Sequence, residues 1–298
     1  MKRVLKWVLI TLGGLGSVVV VAACVVYVVG SRKLSARHEI AAESELVVPT
    51  DSASIARGAR LVGARPCGLC HGEDYGGNTI GDNFLFGRIV PPNLTNGRGG
   101  RRPPRTNVEW ERAIRHGVRR DGTSLVIMPS ASFHAIADDE MAAMIAYLKQ
   151  IPTVDRETPP MRSGPLQRLL LAAGMFKTSA EEVPAVPHVA TVDTTPGLEY
   201  GTYLVASTGC RMCHGQSLSG GPAPVAGEPP FPNLTPIGIG HYSEDDFKRT
   251  LRTGRRPSGG PELNELMPWK YFRTLTDDQL HSIWLVLKSL PPKQFGEK

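Results

Sequence analysis

Between Trp7 and Val29 the chain runs through 23 residues without a charge, with Lys2, Arg3 and Lys6 before the run and Arg32, Lys33 and Arg37 after it. As a helix, this run is ~34 Å long at ~1.5 Å per residue, enough to cross a hydrocarbon core of ~30 Å. Beyond it, apolar positions fall into short helical periods separated by long stretches rich in glycine and proline. Amphipathic helices are predicted around Val108 to Gly117 and Glu244 to Gly254. Two more open at Asp138-Asp139 and Asp277-Asp278 and end at Leu148 and Leu287. Pro152 and Pro291 follow those ends, where proline stops a helix by removing a donor and crowding the preceding turn.

The pattern after the apolar run reads twice, about 140 residues apart. Gly58 and Leu61 precede Cys67 by nine and six positions, and Gly201 and Leu204 precede Cys210 by the same nine and six. Pro92-Asn93-Leu94-Thr95 recurs as Pro232-Asn233-Leu234-Thr235, and Met128-Pro129 as Met267-Pro268. The reading is therefore an all-α protein: an N-terminal anchor and stalk over residues 1–45, then units over 46–153 and 196–298. Residues 154–195 belong to neither repeat and contain a short amphipathic stretch, Leu166 to Met175. They read as a linker packed between the units; the alternative is a flexible tether, against which Leu169, Leu170 and Leu171 argue.

Within each repeat lies a C-x-x-C-H: Cys67-Gly68-Leu69-Cys70-His71 and Cys210-Arg211-Met212-Cys213-His214. This is the attachment signal for covalent haem c. Two cysteines three positions apart lie on one side of a helical turn and can form thioethers to the two vinyl groups of one porphyrin. The histidine after them falls under the iron as an axial ligand. A zinc site would want its cysteine pairs commonly ~15–20 residues apart, and here Cys70 and Cys210 are separated by about 140. A thioredoxin-like C-x-x-C would need a βαβ context, which the pattern lacks. Two haems consume four of the five cysteines and leave Cys24.

The chain of 298 residues is 41% hydrophobic, with 32 glycines and 25 prolines. Small haem domains fit that profile, because the porphyrin supplies part of the core. The net charge is +6, and Arg98, Arg101, Arg102 and Arg105 crowd one stretch. No nucleic-acid motif accompanies them; an acidic redox partner, anionic lipid or plain solvent is the expected neighbour. Haem c is attached on the periplasmic side in bacteria, so the expected topology is a single-pass anchor in the cytoplasmic membrane with both haem units in the periplasm. Val21-Ala22-Ala23-Cys24 also resembles a lipobox, although Val25 to Val29 continues the apolar run where a lipoprotein would turn polar. A cleaved signal peptide is the remaining reading, with an apolar region longer than usual.

The order helix, C-x-x-C-H, loop, helix, Met-Pro, helix resembles the class I cytochrome c fold. There the first and last helices cross at a close contact beside the haem, which implies crossing positions at Gly58 and Gly201 and a facing aromatic at Tyr147. The second unit has Val286 at the matching place, with Trp284 nearby, and this implies a repacked contact. In detail the chain is similar to membrane-bound multihaem cytochrome subunits of periplasmic alcohol and gluconate dehydrogenases. They share Asn-Leu-Thr after a glycine-rich loop, a Trp- or Phe-centred helix, Met-Pro and a last helix opening on Asp-Asp. The likeness covers residues 54–152 and 197–292. Those subunits typically carry three haem domains where this chain has two.

The resemblance implies a sixth iron ligand well after each motif. Met128 stands 57 positions after His71, and Met267 stands 53 after His214. Thioether ligation opposite histidine raises the potential and fills the coordination shell; a core-filling methionine is the plainer alternative. Met141 and Met144 align with Leu280 and Ile283 and read as core. His116, His134, His241 and His281 recur at no matching position. The two Asn-Leu-Thr segments suggest a shared loop in which Asn or Thr bonds backbone or a haem propionate. The expected function is that of an electron carrier, not an enzyme, passing electrons from a dehydrogenase or quinol-linked donor to another cytochrome or an oxidase. A dihaem enzyme, such as a peroxidase or thiosulfate dehydrogenase, is the alternative, and a haem-based sensor a third.

Overall fold

The structure is a computed structural model describing residues 2–40, 46–100, 103–186, 188–223, 227–264 and 266–298. Arg101 and Arg102 lie outside these described residues. The chain is mostly helical. Helix α1 (Lys2–Ser35) contains the uncharged run. By length and composition it can cross a membrane, and residues 3–25 are exposed throughout.

The first half then follows as α2 (Ser52–Gly63), α3 (Cys67–His71), α4 (Asn107–Arg115), α5 (Ser130–Phe133) and α6 (Asp138–Leu148). Between the halves lie α7 (Pro165–Ala172) and α8 (Ser179–Glu182). The second half has α9 (Leu198–Ser207), α10 (Cys210–His214), α11 (Pro236–Ile239), α12 (Glu244–Thr253), α13 (Trp269–Phe272) and α14 (Asp277–Ser289).

Capping explains where several helices begin. Asp51 accepts from Ser54 N at 2.9 Å before α2. Thr106–Glu109, Ser243–Asp246 and Thr276–Gln279 form reciprocal capping boxes at α4, α12 and α14.

Two buried clusters form the cores. One joins α2, α4 and α6 through Val62, Trp110, Ile114, Met141, Met144 and Ile145. The other joins α9, α12 and α14 through Leu204, Val205, Phe247, Leu280, Ile283 and Trp284. Met141 and Met144 are buried, as their alignment with Leu280 and Ile283 implies.

Each core rests on a helix crossing at a glycine. A Cβ added at Gly58 would lie 2.0 Å from Ala143 O, and one at Gly201 would lie 2.0 Å from Ser282 O. Only glycine permits either contact. The second crossing is therefore not repacked, contrary to the expectation from Val286. The approach is set by backbone against backbone, and Val286 merely replaces Tyr147 beside it.

The expectation of an all-α chain needs one correction. Strands β1 (Gly81–Asn83), β2 (Gly87–Ile89) and β3 (Arg162–Ser163) form a three-stranded antiparallel sheet in the order β1-β2-β3. Gly81 pairs with Ile89 and Arg88 with Arg162. The third strand comes from the segment between the halves, and a strand of two residues carries no alternating pattern to read.

That segment is hydrogen-bonded onto the first half. Val154 and Arg156 carbonyls accept from Asn93 Nδ2 at 2.8 and 3.2 Å, and Asp74 holds the Arg156 guanidinium at 2.7 Å. Farther on, Val189 and Ala190 carbonyls accept from the first N–H groups of α6, Asp138 N and Asp139 N, at 3.0 and 3.2 Å.

Candidate functional site

The two cysteine motifs each fold as one helical turn whose histidine is buried. The loop after each turn follows the same path. Tyr75 and Leu218, at equivalent places, both adopt left-handed backbone, with φ of 56 and 60°. Their N–H groups bond Gly72 O and Gly215 O, and their carbonyls accept from Leu94 N and Leu234 N at 2.9 and 2.8 Å. Such conformations are unfavourable for side chains larger than glycine and persist where surrounding structure imposes them.

The purpose of the loop is visible at the histidines. His71 Nδ1 lies 2.9 Å from Pro92 O, and His214 Nδ1 lies 2.8 Å from Pro232 O. A carbonyl only accepts, so Nδ1 carries the proton and the lone pair sits on Nε2. This is the tautomer and orientation an axial ligand needs. Burial also lowers the pKa of His214, which favours the neutral, ligating ring. These proline carbonyls were missed in the sequence, although the repeated Pro-Asn-Leu-Thr carried the signal.

Of the two roles that the repeated Asn-Leu-Thr suggests, Asn93 and Asn233 take that of bonding backbone. Asn93 Oδ1 accepts from Thr95 N while its Nδ2 clamps the returning segment. Asn233 Oδ1 accepts from Thr235 N, and its Nδ2 donates to Lys293 O at 2.7 Å. Both therefore bind backbone: they tie the chain that leaves α6 or α14 to the loop that holds the histidine carbonyl.

A cavity of about 1470 Å³ is lined from both halves. Cys67, Cys70, His71 and Met128 contribute to its wall, and so do Cys210, Cys213, His214 and Met267. The structure thus brings all eight sequence-identified residues to one cavity. The four cysteines are free and half-buried. Burial pushes the Cys67 thiol up to about 11 and raises those of Cys70, Cys210 and Cys213.

Apolar and aromatic side chains such as Val90, Trp110, Phe133, Phe247, Phe272 and Ile283 supply the rest of the surface. This shape and chemistry fit haem, and the donor set of thiol pairs, imidazole and thioether fits its covalent and axial bonds. Arg105, Arg119 and Arg256 also line the cavity, as a carboxylate-bearing ligand would require, and no repeated motif marks the last two.

The other histidines divide. His241 lines the cavity with its ring edge-on to Tyr242. His134 Nε2 lies 2.6 Å from Val186 O, and His281 Nδ1 lies 2.9 Å from Glu244 Oε1. Glu111, Asp138 and His188 come close enough to suggest a metal site. The buried Arg115 guanidinium pairs with both carboxylates at 3.2 and 2.9 Å, and that charge opposes a cation.

Residues 55–152 match the family described as Cytochrome c, so the chain carries a cytochrome c domain, which implies covalently bound haem c. More particularly, it is similar to the cytochrome c subunit of a quinone alcohol dehydrogenase from Gluconacetobacter polyoxogenes, at 31% identity over 282 residues. That match covers 81% of this chain and 57% of the relative. The fructose dehydrogenase cytochrome subunit of Gluconobacter japonicus is 25% identical, over 80% of this chain and 53% of its own. A diheme c-type cytochrome of Cereibacter sphaeroides is 26% identical, over 79% of this chain and 85% of its own. The chain thus spans little more than half the length of the dehydrogenase subunits it matches.

Proposed function

We propose that this chain is a membrane-anchored, periplasmic electron carrier built from two tandem class I cytochrome c units. Cys67, Cys70, His71 and Met128 would hold one haem c, and Cys210, Cys213, His214 and Met267 the other. It would pass electrons from a dehydrogenase or quinol-linked donor to a downstream cytochrome or terminal oxidase. The observation that carries the reading is the common cavity on which both complete donor sets converge.

Haem c, once bound, supplies a one-electron iron couple. The chain's own residues do the rest. Pro92 and Pro232 carbonyls hold the imidazoles in their ligating tautomer, and the apolar wall excludes water. The two methionine sulfurs, once ligated, would fill the last position on each iron and leave none for peroxide. Helix α1 would confine the carrier to the membrane surface and raise its effective concentration near partners there.

The purified protein should contain two covalent haems per chain, both low-spin. Met128→Ala and Met267→Ala should each make one haem high-spin and open to carbon monoxide, leaving the other unchanged. Carbon monoxide binding to the unaltered reduced protein would overturn the methionine ligation, and rapid turnover of peroxide or thiosulfate would instead establish a dihaem enzyme.

A further inference from the structure

The turn between β1 and β2 places three large apolar residues in a row in the open. Phe84 is 81% exposed, Leu85 53% and Phe86 41%. Contiguous apolar surface of this kind marks a contact site rather than chance exposure. The tip is held firmly, because Leu85 O accepts from Leu166 N at 2.9 Å and Phe86 O from Gly164 N at 3.0 Å. It is therefore fixed to the start of α7.

Helix α7 is in turn docked on the end of α1. Arg168 Nη1 donates to Ser31 Oγ at 2.6 Å, and its guanidinium lies 4.7 Å from the centre of the Tyr27 ring. Gly30 meets the Arg168 backbone so closely that an added Cβ would lie 2.6 Å from its carbonyl oxygen. Residues 3–25 of α1 are exposed, and burial begins at Val26, where the uncharged run is ending. Tyr27 and the following Arg32 and Lys33 are the residue types that settle at a bilayer interface. With α1 as the anchor, α7 would sit at headgroup level and the hairpin tip beside it. Ser163 to Lys177 contains no acidic residue, and Leu169 and Met175 on it are exposed as well. A basic and apolar surface matches anionic headgroups above acyl chains.

We propose that Phe84, Leu85 and Phe86 enter the interfacial layer of the bilayer alongside α1, as a second membrane contact that holds the first half in one orientation on the membrane. The occupant of this patch is lipid, and a protein partner is the competing outcome. The inference rests on the reading of α1 as the membrane anchor.

The test uses the full-length, haem-loaded protein with Cys24→Ser, reconstituted into bilayers of phosphatidylethanolamine and phosphatidylglycerol. Nitroxide labels are placed singly through Phe84→Cys, Phe86→Cys, Leu15→Cys and Thr202→Cys, with the haems reduced and the absorption spectrum checked. Relaxation by oxygen, which concentrates in lipid, is compared with relaxation by a water-soluble nickel chelate. The Phe84 and Phe86 labels should show an oxygen-to-nickel ratio several-fold above that at Thr202, with Leu15 higher still. A Phe84 ratio equal to that at Thr202, with Leu15 deep in lipid, overturns the second contact and leaves the anchor intact, freeing the patch for a protein. Absence of Leu15 from lipid, or from the mature chain, overturns both.

Discussion

The same helix opens on Asp-Asp in both halves of the molecule, yet it is finished in opposite ways. In the second half, α14 caps itself: Thr276 Oγ1 accepts from Gln279 N, and Gln279 Oε1 accepts from Thr276 N. In the first half, Ala137 stands in the capping position and has no side chain for the task. Val189 and Ala190 carbonyls receive the next two N–H groups, and the Tyr203 hydroxyl accepts from Ala137 N at 3.1 Å. Glu140, equivalent to Gln279, is turned to other work. It holds Arg65 at 3.1 Å and accepts from Tyr203 Oη at 2.7 Å. The second half completes its last helix from its own residues. The first half borrows from the linker and from α9, so its order is bound to the presence of both.

Glu140 offers the strongest way to break that contrast. Arg65 and Glu140 side chains are each only 3% exposed. Removing one partner of such a pair strands a buried charge, typically at ~3–5 kcal/mol. Glu140→Ala should therefore cost about that much, with hydrogen exchange rising in α2 and α6 while α14 stays protected. Gln279→Ala should cost only about 1 kcal/mol, the usual worth of a cap, and loosen α14 alone. Equal losses of protection in both halves after Glu140→Ala would mean that the halves unfold as one unit and that the borrowing carries no consequence.

How much of this could be read in advance differs between the halves for the same physical reason. The motif turns, the crossing glycines and the last helices are local: they depend on spacing within one repeat, and residues such as Gly201 and Asp277 announce them. The four cysteines, two histidines and two methionines were likewise placed by their repeat, and the structure gathers them at one cavity. What the sequence hid is non-local and made largely of backbone. Carbonyls of Val154, Val189 and Ala190 have no side chain to advertise them. A pairing such as Arg88 with Arg162 joins residues 74 positions apart. Val286 misled for a related reason, since a side-chain difference says little about an approach fixed by two main chains.

The crossings test what the halves share. A methyl group at Gly58 or Gly201 must displace a helix carbonyl lying 2.0 Å from its place. Overpacking of this sort costs ~1–3 kcal/mol. Gly58→Ala and Gly201→Ala should do so to a similar extent, measured by denaturant unfolding. A clear tolerance at Gly201 alone would show that Val286 does give the second crossing room that Tyr147 denies the first.

The smallest effect is expected at the tie between the first half and the segment that follows it. The hydrogen bond from Arg156, with a second from Gly76 N, holds the Asp74 carboxyl below its usual range. A carboxyl so depressed favours the folded state above its unfolded pKa of ~3.9, and that contribution is lost as the pH falls through the folded value. Both side chains are more than two-fifths exposed, so salt screens the pair. Where the first half has Asp74, three positions after the motif histidine, the second has Ser217, whose hydroxyl donates to Glu297 O without a charge. Asp74→Asn should thus destabilise less than Gln279→Ala, only at pH values above the carboxylate range, and not in molar salt. Unfolding midpoints at pH 7 and pH 3, at low and high salt, would check this. A loss at pH 3 as large as that at pH 7 would show that the contribution of Asp74 does not come from its charge.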